Sequence, residues 1–468
     1  MLFTTPIFLC FLVIVYVVFR LLPAGRPRTI FLILASYVFY MSWNPPFVLL
    51  LIFSTILDYS VGLALAREER HGRRKALLLA SVVGNLSVLG FFKYANFFNA
   101  NLQVLLSYVG AEFHPTPFNI ILPLGISFYT FQSMSYSIDC YRRTREPTRD
   151  WLSFALFVTF FPQLIAGPIV RSDQFLSQVE RHQRFTWAAF AVGCNLIMLG
   201  LVKKMVLADN LAVFVDRIYG DPSAAGSAQA WVATWAFTAQ AYFDFSAYAD
   251  IACGLGYLFG YRLPVNFRQP YLSTGFRDFW SRWHITLMTW LRDYLYFPLG
   301  GSRRTKARNY FNLYVTLGLS GLWHGASWNF VIFGLVHGTY LVAERMVFGP
   351  KGVPVLAGWR RLVGVLSTVQ LFAFSLIFFR GQTLADSVII LKRMFFWGSA
   401  PHVPLRWEYQ LWVPLILTIV GHALVYKRPL DPTLRSYPRW VVLVLYGVAA
   451  VGISLYGASG SEFIYFQF

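Results

Sequence analysis

Apolar residues run through the chain in blocks rather than in alternation: 2–22, 46–65, 76–92, 120–140, 151–165, 188–202, 231–245, 328–347, 362–379, 411–425 and 440–456. Many are long enough to cross a hydrocarbon core, which takes roughly 20 helical residues. Shorter or broken blocks lie between them. Blocks of this kind predict helices, because a segment in lipid has to satisfy its backbone N–H and C=O groups internally. The fold class that follows is all-α, a polytopic membrane protein. No hydrophilic stretch is long enough for a separate soluble domain and no repeat or low-complexity linker interrupts the series, so residues 1–468 are expected to form a single polytopic domain. The first block has no Lys or Arg before it and no convincing cleavage site after it, so it reads as a retained helix rather than a signal peptide.

Composition points the same way. With 57% hydrophobic and only 13% charged residues, and a mean hydropathy of +0.52, the chain is unsuited to a water-soluble fold. Its net charge of +19 would suggest nucleic acid in a soluble protein. Here the basic residues bunch in short loops: Arg26 and Arg28; Arg67, Arg70, Arg73, Arg74 and Lys75; 142–149; 303–308; 427–439. Bunching between apolar blocks is the pattern of positive-inside orientation, so the expected partner is the bilayer and not nucleic acid. Counting crossings between the first three clusters, with a turn at Asn44, Pro45 and Pro46, puts the N-terminus outside the cytoplasm. Cys10, Cys140, Cys194 and Cys253 stand singly, with no CxxC spacing, and indicate neither a disulfide framework nor a metal site.

Polar residues inside the apolar blocks carry the chemical information. Asp139, Asp244 and Asp250 sit in or beside such blocks, where a carboxylate costs about 2.5 to 3.5 kcal/mol on insertion scales, so they should face protein or water. Residues 254–301 are aromatic enough for membrane depth, yet carry Arg262, Arg268, Arg277, Asp278, Arg282, His284, Arg292 and Asp293 as well as three prolines. Irregular charged backbone is tolerated at that depth only where it is buried in protein or lines a wet cavity. A reaction chamber or a transport path both fit.

His324 follows an apolar run that starts after the 303–308 cluster, and the 14 residues 310–323 rise roughly 21 Å as a helix, so the ring is expected to lie deep. Desolvation favours neutral imidazole, which can accept a proton. Gly321, Gly325, Ala326 and Ser327 flank Trp323 and His324 and are expected to leave room for a substrate. The alternative is a histidine hydrogen-bonded between helices. His284 has a comparable setting, with direct chemistry or a satisfied polar network as its two readings. His337 fits an inter-helix contact better. No HExxH or paired-ligand spacing supports zinc, GxSxG is missing around Ser320, and no P-loop or convincing GxGxxG is present, so metal, serine-nucleophile and ATP-driven chemistries are disfavoured. A carrier would explain the buried charges, but the two halves show no matching broken helices. A purely structural subunit would have no need of a deep histidine.

Six stretches in order resemble the membrane-bound O-acyltransferase superfamily, and within it the bacterial alginate O-acetylase branch: PLGISFYTFQSMSYSIDCYRR (123–143), FFPQLIAGPIVR (160–171), YFDFSAYADIACGLGYLFGYRLPVNFRQPY (242–271), FWSRWHITLMTWLRDYLYFPLGGSR (279–303), LSGLWHGASWNFVIFGLVHG (319–338) and FIYFQF (463–468). The chain is also similar to the membrane proteins of peptidoglycan and cellulose acetylation and of teichoic acid D-alanylation. The resemblance implies a ring of about 11 to 14 transmembrane and re-entrant helices around a thin central chamber, with a funnel on each side. It implies a multi-pass protein of the bacterial inner membrane that passes acetyl groups from cytoplasmic acetyl-CoA, with no bound cofactor, to a periplasmic acetyltransferase acting on a polysaccharide such as alginate. His324 matches the family's catalytic histidine and His284 a position that is His or Asn. On this reading His324 is the general base, His284 holds the thioester or polarises its carbonyl, and Trp323, Arg282, Asp278 and Asp293 support the site. Arg303 and Arg304, with Lys306 and Arg308, would attract the CoA phosphates.

Overall fold

The computed structural model describes residues 1–181, 185–396, 405–406, 408–425, 438–458 and 463–464. The described residues contain helices and turns and no strand, which establishes the expected all-α class. Among the described residues, five helices are long and apolar enough to cross a membrane: Pro45–Arg67, His71–Tyr108, Trp187–Gly220, Trp328–Phe348 and Gly358–Arg380. Shorter apolar helices cover Pro6–Leu21, Tyr409–His422 and Trp440–Tyr456. Contacts divide the chain into two units, Met1–Gly193 with Ala252–Pro264, and Cys194–Ile251 with Val265–Phe468.

In the first unit, the helices Val48–Arg67, His71–Leu89 and Ile126–Arg142 pack on one another. The last of these is buried continuously from Ile126 to Ser137, on every face. Small hydroxyl side chains along it let neighbouring backbones approach and supply hydrogen bonds between helices. Gly125, at φ 71°, turns the chain into this helix in the left-handed region that glycine adopts without steric cost. Arg74 is buried, and its guanidinium donates to the carbonyls of Leu65, Glu68, Cys140 and Tyr141. It thereby ties the basic turns at 67–75 and 142–149 to the same end of the three helices, as an even number of crossings requires.

One apolar block behaves differently from expectation. Residues 151–165 form a helix only over Trp151–Thr159, followed by a single turn at Phe161–Leu164. Pro162 lacks the N–H that a continuous helix would use, and the Phe161 N–H donates instead to Ser36 Oγ at 3.1 Å. From Ser153 onward the segment is buried on all sides, so its apolar character reflects a protein interior rather than lipid.

In the second unit, helices Lys306–His324 and Trp328–Phe348 form a tight antiparallel hairpin. A Cβ on Gly321 would run into the Phe330 carbonyl and the backbone of Gly334, and one on Gly334 into the Leu317 carbonyl. These glycines set the close approach of the two helices. Gly325, at the hairpin turn, faces the Phe330 ring. The expectation that Gly321 and Gly325 leave space for a substrate is therefore corrected: both positions are filled by the partner helix. The hairpin begins beside the basic 303–308 cluster and ends at Arg345 and Lys351, so both ends carry positive charge.

The charged side chains around Lys203 and Lys204 in this unit are paired. Lys204 lies 2.7 Å from Asp209 and 2.9 Å from Asp244, all three buried, and Lys203 lies 2.6 Å from Asp250. Asp244 also accepts the Ile464 N–H at 2.7 Å. Asp244 and Asp250 thus face protein, as the cost of burying a lone carboxylate demands.

Candidate active site

His284 sits between two short helices, Phe276–Trp280 and Ile285–Leu291, in a stretch that is irregular and largely buried, as the charges and prolines of this region anticipate. Its backbone is left-handed, with φ 44° and ψ 50°. A non-glycine residue there costs of order 1–3 kcal/mol and persists only where neighbours over-determine it. The constraint comes from Asn266. The Ile285 N–H donates to the Asn266 carbonyl at 3.0 Å, and the Arg268 N–H to the Arg282 carbonyl at 2.9 Å, so the 266–268 strip is laced to the 282–285 turn. The Asn266 side chain adds three contacts. Its Oδ1 accepts from the Thr286 N–H at 3.2 Å and the Thr286 hydroxyl at 2.9 Å, and lies 3.2 Å from His284 Nδ1.

These contacts settle the tautomer of a neutral His284. Because Oδ1 receives a backbone N–H, it is the amide's acceptor atom, so His284 Nδ1 is the donor and carries the proton. Nε2 is then the acceptor atom of the ring. Phe245 meets the ring edge-on at 4.6 Å between centroids.

His324 is the last residue of the Lys306–His324 helix and is 6% exposed. Phe379 and Phe333 pack against its ring at 5.3 and 6.1 Å. Trp323 joins the two candidate histidines: its ring centroid is 5.0 Å from that of His324 and 6.0 Å from that of His284. Residues 40 apart in sequence are thereby brought to one aromatic wall. His337 is elsewhere. Its Nε2 lies 2.9 Å from Ser375 Oγ, whose hydroxyl donates to the Phe372 carbonyl, and Trp280 and Phe333 close over the ring at 4.8 and 4.7 Å. That is an inter-helix contact.

Three cavities of about 390, 310 and 420 Å³ share Arg277 as a wall. The first is cationic, with Arg277, Arg282, Lys351 and Arg361 against Asp278 and Glu344. The third is mainly apolar and includes Trp280 and Ile285, on either side of the turn that carries His284, with Leu313, Thr316 and Leu317 of the His324 helix. Asp278 and Arg282 pair with each other at 2.8 Å in the first cavity, and Asp293 pairs with Arg292 at 2.7 Å. Arg303 and Arg304 are exposed on a turn next to Ser302, which lines the second cavity. Among the described residues, no group of three or more His, Cys, Asp or Glu is placed to hold a metal ion.

Two residues essential to this arrangement escaped sequence reasoning. Asn266 lies within the 242–271 stretch of the resemblance, but nothing in the sequence singles it out. Glu344 lies buried near the end of the Trp328–Phe348 helix, where its carboxylate accepts the Phe276 N–H at 2.5 Å and the Arg277 N–H at 3.3 Å, capping the Phe276–Trp280 helix that Gly275 leaves uncapped. An acidic residue in an apolar helix was the available signal.

Comparison with known proteins identifies the family. The sequence profile of MBOAT, the membrane-bound O-acyltransferase family, matches residues 76–379. A probable alginate O-acetylase AlgI of Azotobacter vinelandii is 44% identical over 351 residues, covering 74% of this chain and 69% of that protein. A probable alginate O-acetylase AlgI of Pseudomonas aeruginosa is 40% identical over 405 residues, covering 85% and 76%. A peptidoglycan O-acetyltransferase of Helicobacter pylori is 35% identical over 430 residues, covering 84% and 80%.

Proposed function

The chain belongs to the membrane-bound O-acyltransferase family and is a multi-pass membrane O-acyltransferase, and from that premise we propose that it carries acetyl groups from cytoplasmic acetyl-CoA across the inner membrane for O-acetylation of an alginate-type exopolysaccharide. The observation that carries the proposal is the meeting of His324 and His284 on Trp323, with Trp280 and Ile285, on either side of the His284 turn, lining the apolar cavity. A periplasmic acetyltransferase is the proposed recipient.

The donor enters with its phosphates at Arg277, Lys351 and Arg361, and its pantetheine arm in the apolar cavity by Trp280 and Ile285. This revises the expectation for Arg303 and Arg304, which as exposed neighbours contribute longer-range attraction. His324 acts as general base. It removes the proton of the acceptor hydroxyl as the oxygen attacks the thioester carbon; the C–S bond breaks and the proton passes to the departing thiolate. Such a base contributes about 10² to 10⁴ in rate. His284 takes a different role from the one first assigned to it. With Nδ1–H held by Asn266, Nε2 accepts a hydrogen bond, which suits it to hold the acceptor hydroxyl or the CoA thiol rather than to polarise a carbonyl.

The peptidoglycan relative favours a second acceptor. Disrupting the gene and measuring O-acetyl content of secreted polysaccharide and of peptidoglycan by NMR separates them. The proposal expects acetyl loss from the exopolysaccharide alone; loss from peptidoglycan alone supports the second reading, and unchanged acetylation of both overturns the two together.

A further inference from the structure

The turn that carries His284 is delivered by the Phe276–Trp280 helix, which has only five residues. A helix this short does not hold itself, because nucleation costs more than one turn of hydrogen bonds returns. Its place is set by what it docks on, and that is one face of the Trp328–Phe348 helix, where Phe333, His337, Tyr340 and Glu344 recur at helical spacing. Phe333 packs against the His324 ring at 6.1 Å between centroids. His337 meets Trp280 at 4.8 Å and Phe276 at 5.7 Å, and Tyr340 stacks on Phe276 at 4.5 Å. One stripe of side chains thus runs from the ring of His324 to the start of the short helix.

Glu344 is the polar end of that stripe. Its Oε2 accepts both the Phe276 N–H at 2.5 Å and the Arg277 N–H at 3.3 Å. The carboxylate has one place to sit, because two backbones close over it: a Cβ on Gly275 would come within 2.8 Å of Oε2, and one on Gly352 within 2.7 Å of Oε1. Apolar contacts along the stripe are non-directional, whereas hydrogen bonds to two successive N–H groups fix where the short helix starts. Glu344 also lines the two cavities walled by Arg277 and, respectively, by Lys351 with Arg361 and by Arg345. A carboxylate there opposes the entry of a polyanionic donor, so donor binding does not account for it.

We propose that Glu344 is a positioning residue for acyl transfer. Through the N–H groups of Phe276 and Arg277 it sets where the 276–284 segment stands along the Trp328–Phe348 helix, and with it the separation of His284 from His324. Asn266 acts on the same turn from its other end and fixes the tautomer of the ring; Glu344 fixes the place of the turn. The kinetic part of the inference rests on the acyl-transfer reading of the two histidines, and the positional part rests on the hydrogen bonds alone.

The test has two arms, both on the purified full-length protein in detergent. Amide hydrogen exchange read by mass spectrometry compares wild type, Glu344→Ala and Glu344→Gln, the last of which keeps an oxygen where Oε2 accepts both N–H groups. Residues 276–285 should exchange about tenfold faster in Glu344→Ala and within about threefold of wild type in Glu344→Gln, with residues 306–324 unchanged in both. Unchanged exchange at 276–285 in Glu344→Ala, or exchange raised as much in Glu344→Gln, overturns the proposal whatever the activity. If Glu344→Ala fails to accumulate, Glu344→Asp withdraws the oxygens by one methylene and carries the same expectation. The second arm is a double-mutant cycle on acetyl transfer. Glu344→Ala should lower kcat by about tenfold in the wild-type background and far less in His284→Ala, where the ring it places is missing. An equal fold-loss in both backgrounds assigns Glu344 to general stability and overturns the positioning role. A wild type without acetyl transfer refutes the acyl-transfer reading instead, and the exchange arm then decides the positional claim.

Discussion

Asn266 holds His284 in one tautomer, with its amide oxygen 3.2 Å from Nδ1 and fixed there by the Thr286 N–H and hydroxyl. The contact acts on chemistry through orientation, because the nitrogen that meets substrate is the one the amide does not touch. Asn266→Ala frees the ring to rotate and to exchange tautomers. Loss of a hydrogen bond of about 1 kcal/mol predicts a fall in kcat of about fivefold with KM for acetyl-CoA little changed. Equal changes in kcat and in thermal stability, with Asn266→Asp no better than alanine, would assign Asn266 to folding alone.

His284 itself is expected to be replaceable in part. Asn at 284 supplies an amide oxygen that accepts a hydrogen bond where Nε2 does, whereas Ala supplies nothing. His284→Asn should retain more acetyl transfer than His284→Ala, by about fivefold for one such bond. Steady-state transfer by the two variants checks the order; equal activity would remove the acceptor role.

The cationic cavity predicts a binding effect. Lys351→Glu and Arg361→Glu each reverse a charge beside Arg277 and Arg282. Both should raise KM for acetyl-CoA several-fold with little change in kcat, and the effect should shrink in high salt as the charges are screened. An unchanged KM would locate the phosphates elsewhere, with Arg303 and Arg304 as the next residues to reverse.

Gly321 and Gly334 predict a folding effect. A larger side chain at either meets a backbone carbonyl of the opposite helix, which cannot rotate away. Gly321→Leu and Gly334→Leu should each destabilise by about 1–3 kcal/mol or prevent accumulation, with the loss visible in the fraction of monodisperse protein after mild heating. Unaltered stability would contradict the close hairpin.

Much of this was legible in the sequence. Apolar blocks and basic turns gave the helical membrane architecture, because lipid imposes length and charge placement on a chain before any tertiary contact forms. The charged, proline-bearing stretch around His284 stood out for the converse reason: it violates the lipid rule and so has to be inside protein. Partner choice was hidden. Asn266 and His284 are 18 residues apart, and Phe276 and Glu344 are 68 apart, and no local periodicity records such pairings. Gly321 was misread for a similar cause, since a glycine that admits a substrate and one that admits a neighbouring helix look alike until the helix is placed. The 151–165 block misled because a segment buried on all sides is as apolar as one in lipid.

The central claim is that His324 accepts the proton in acetyl transfer. Its most direct test is release of CoA from labelled acetyl-CoA by purified wild type and His324→Ala, supplied with acceptor and matched for monodisperse protein and thermal stability. The account predicts a loss of at least about 10²-fold in the variant with its fold intact. Release at the wild-type rate by His324→Ala would contradict it.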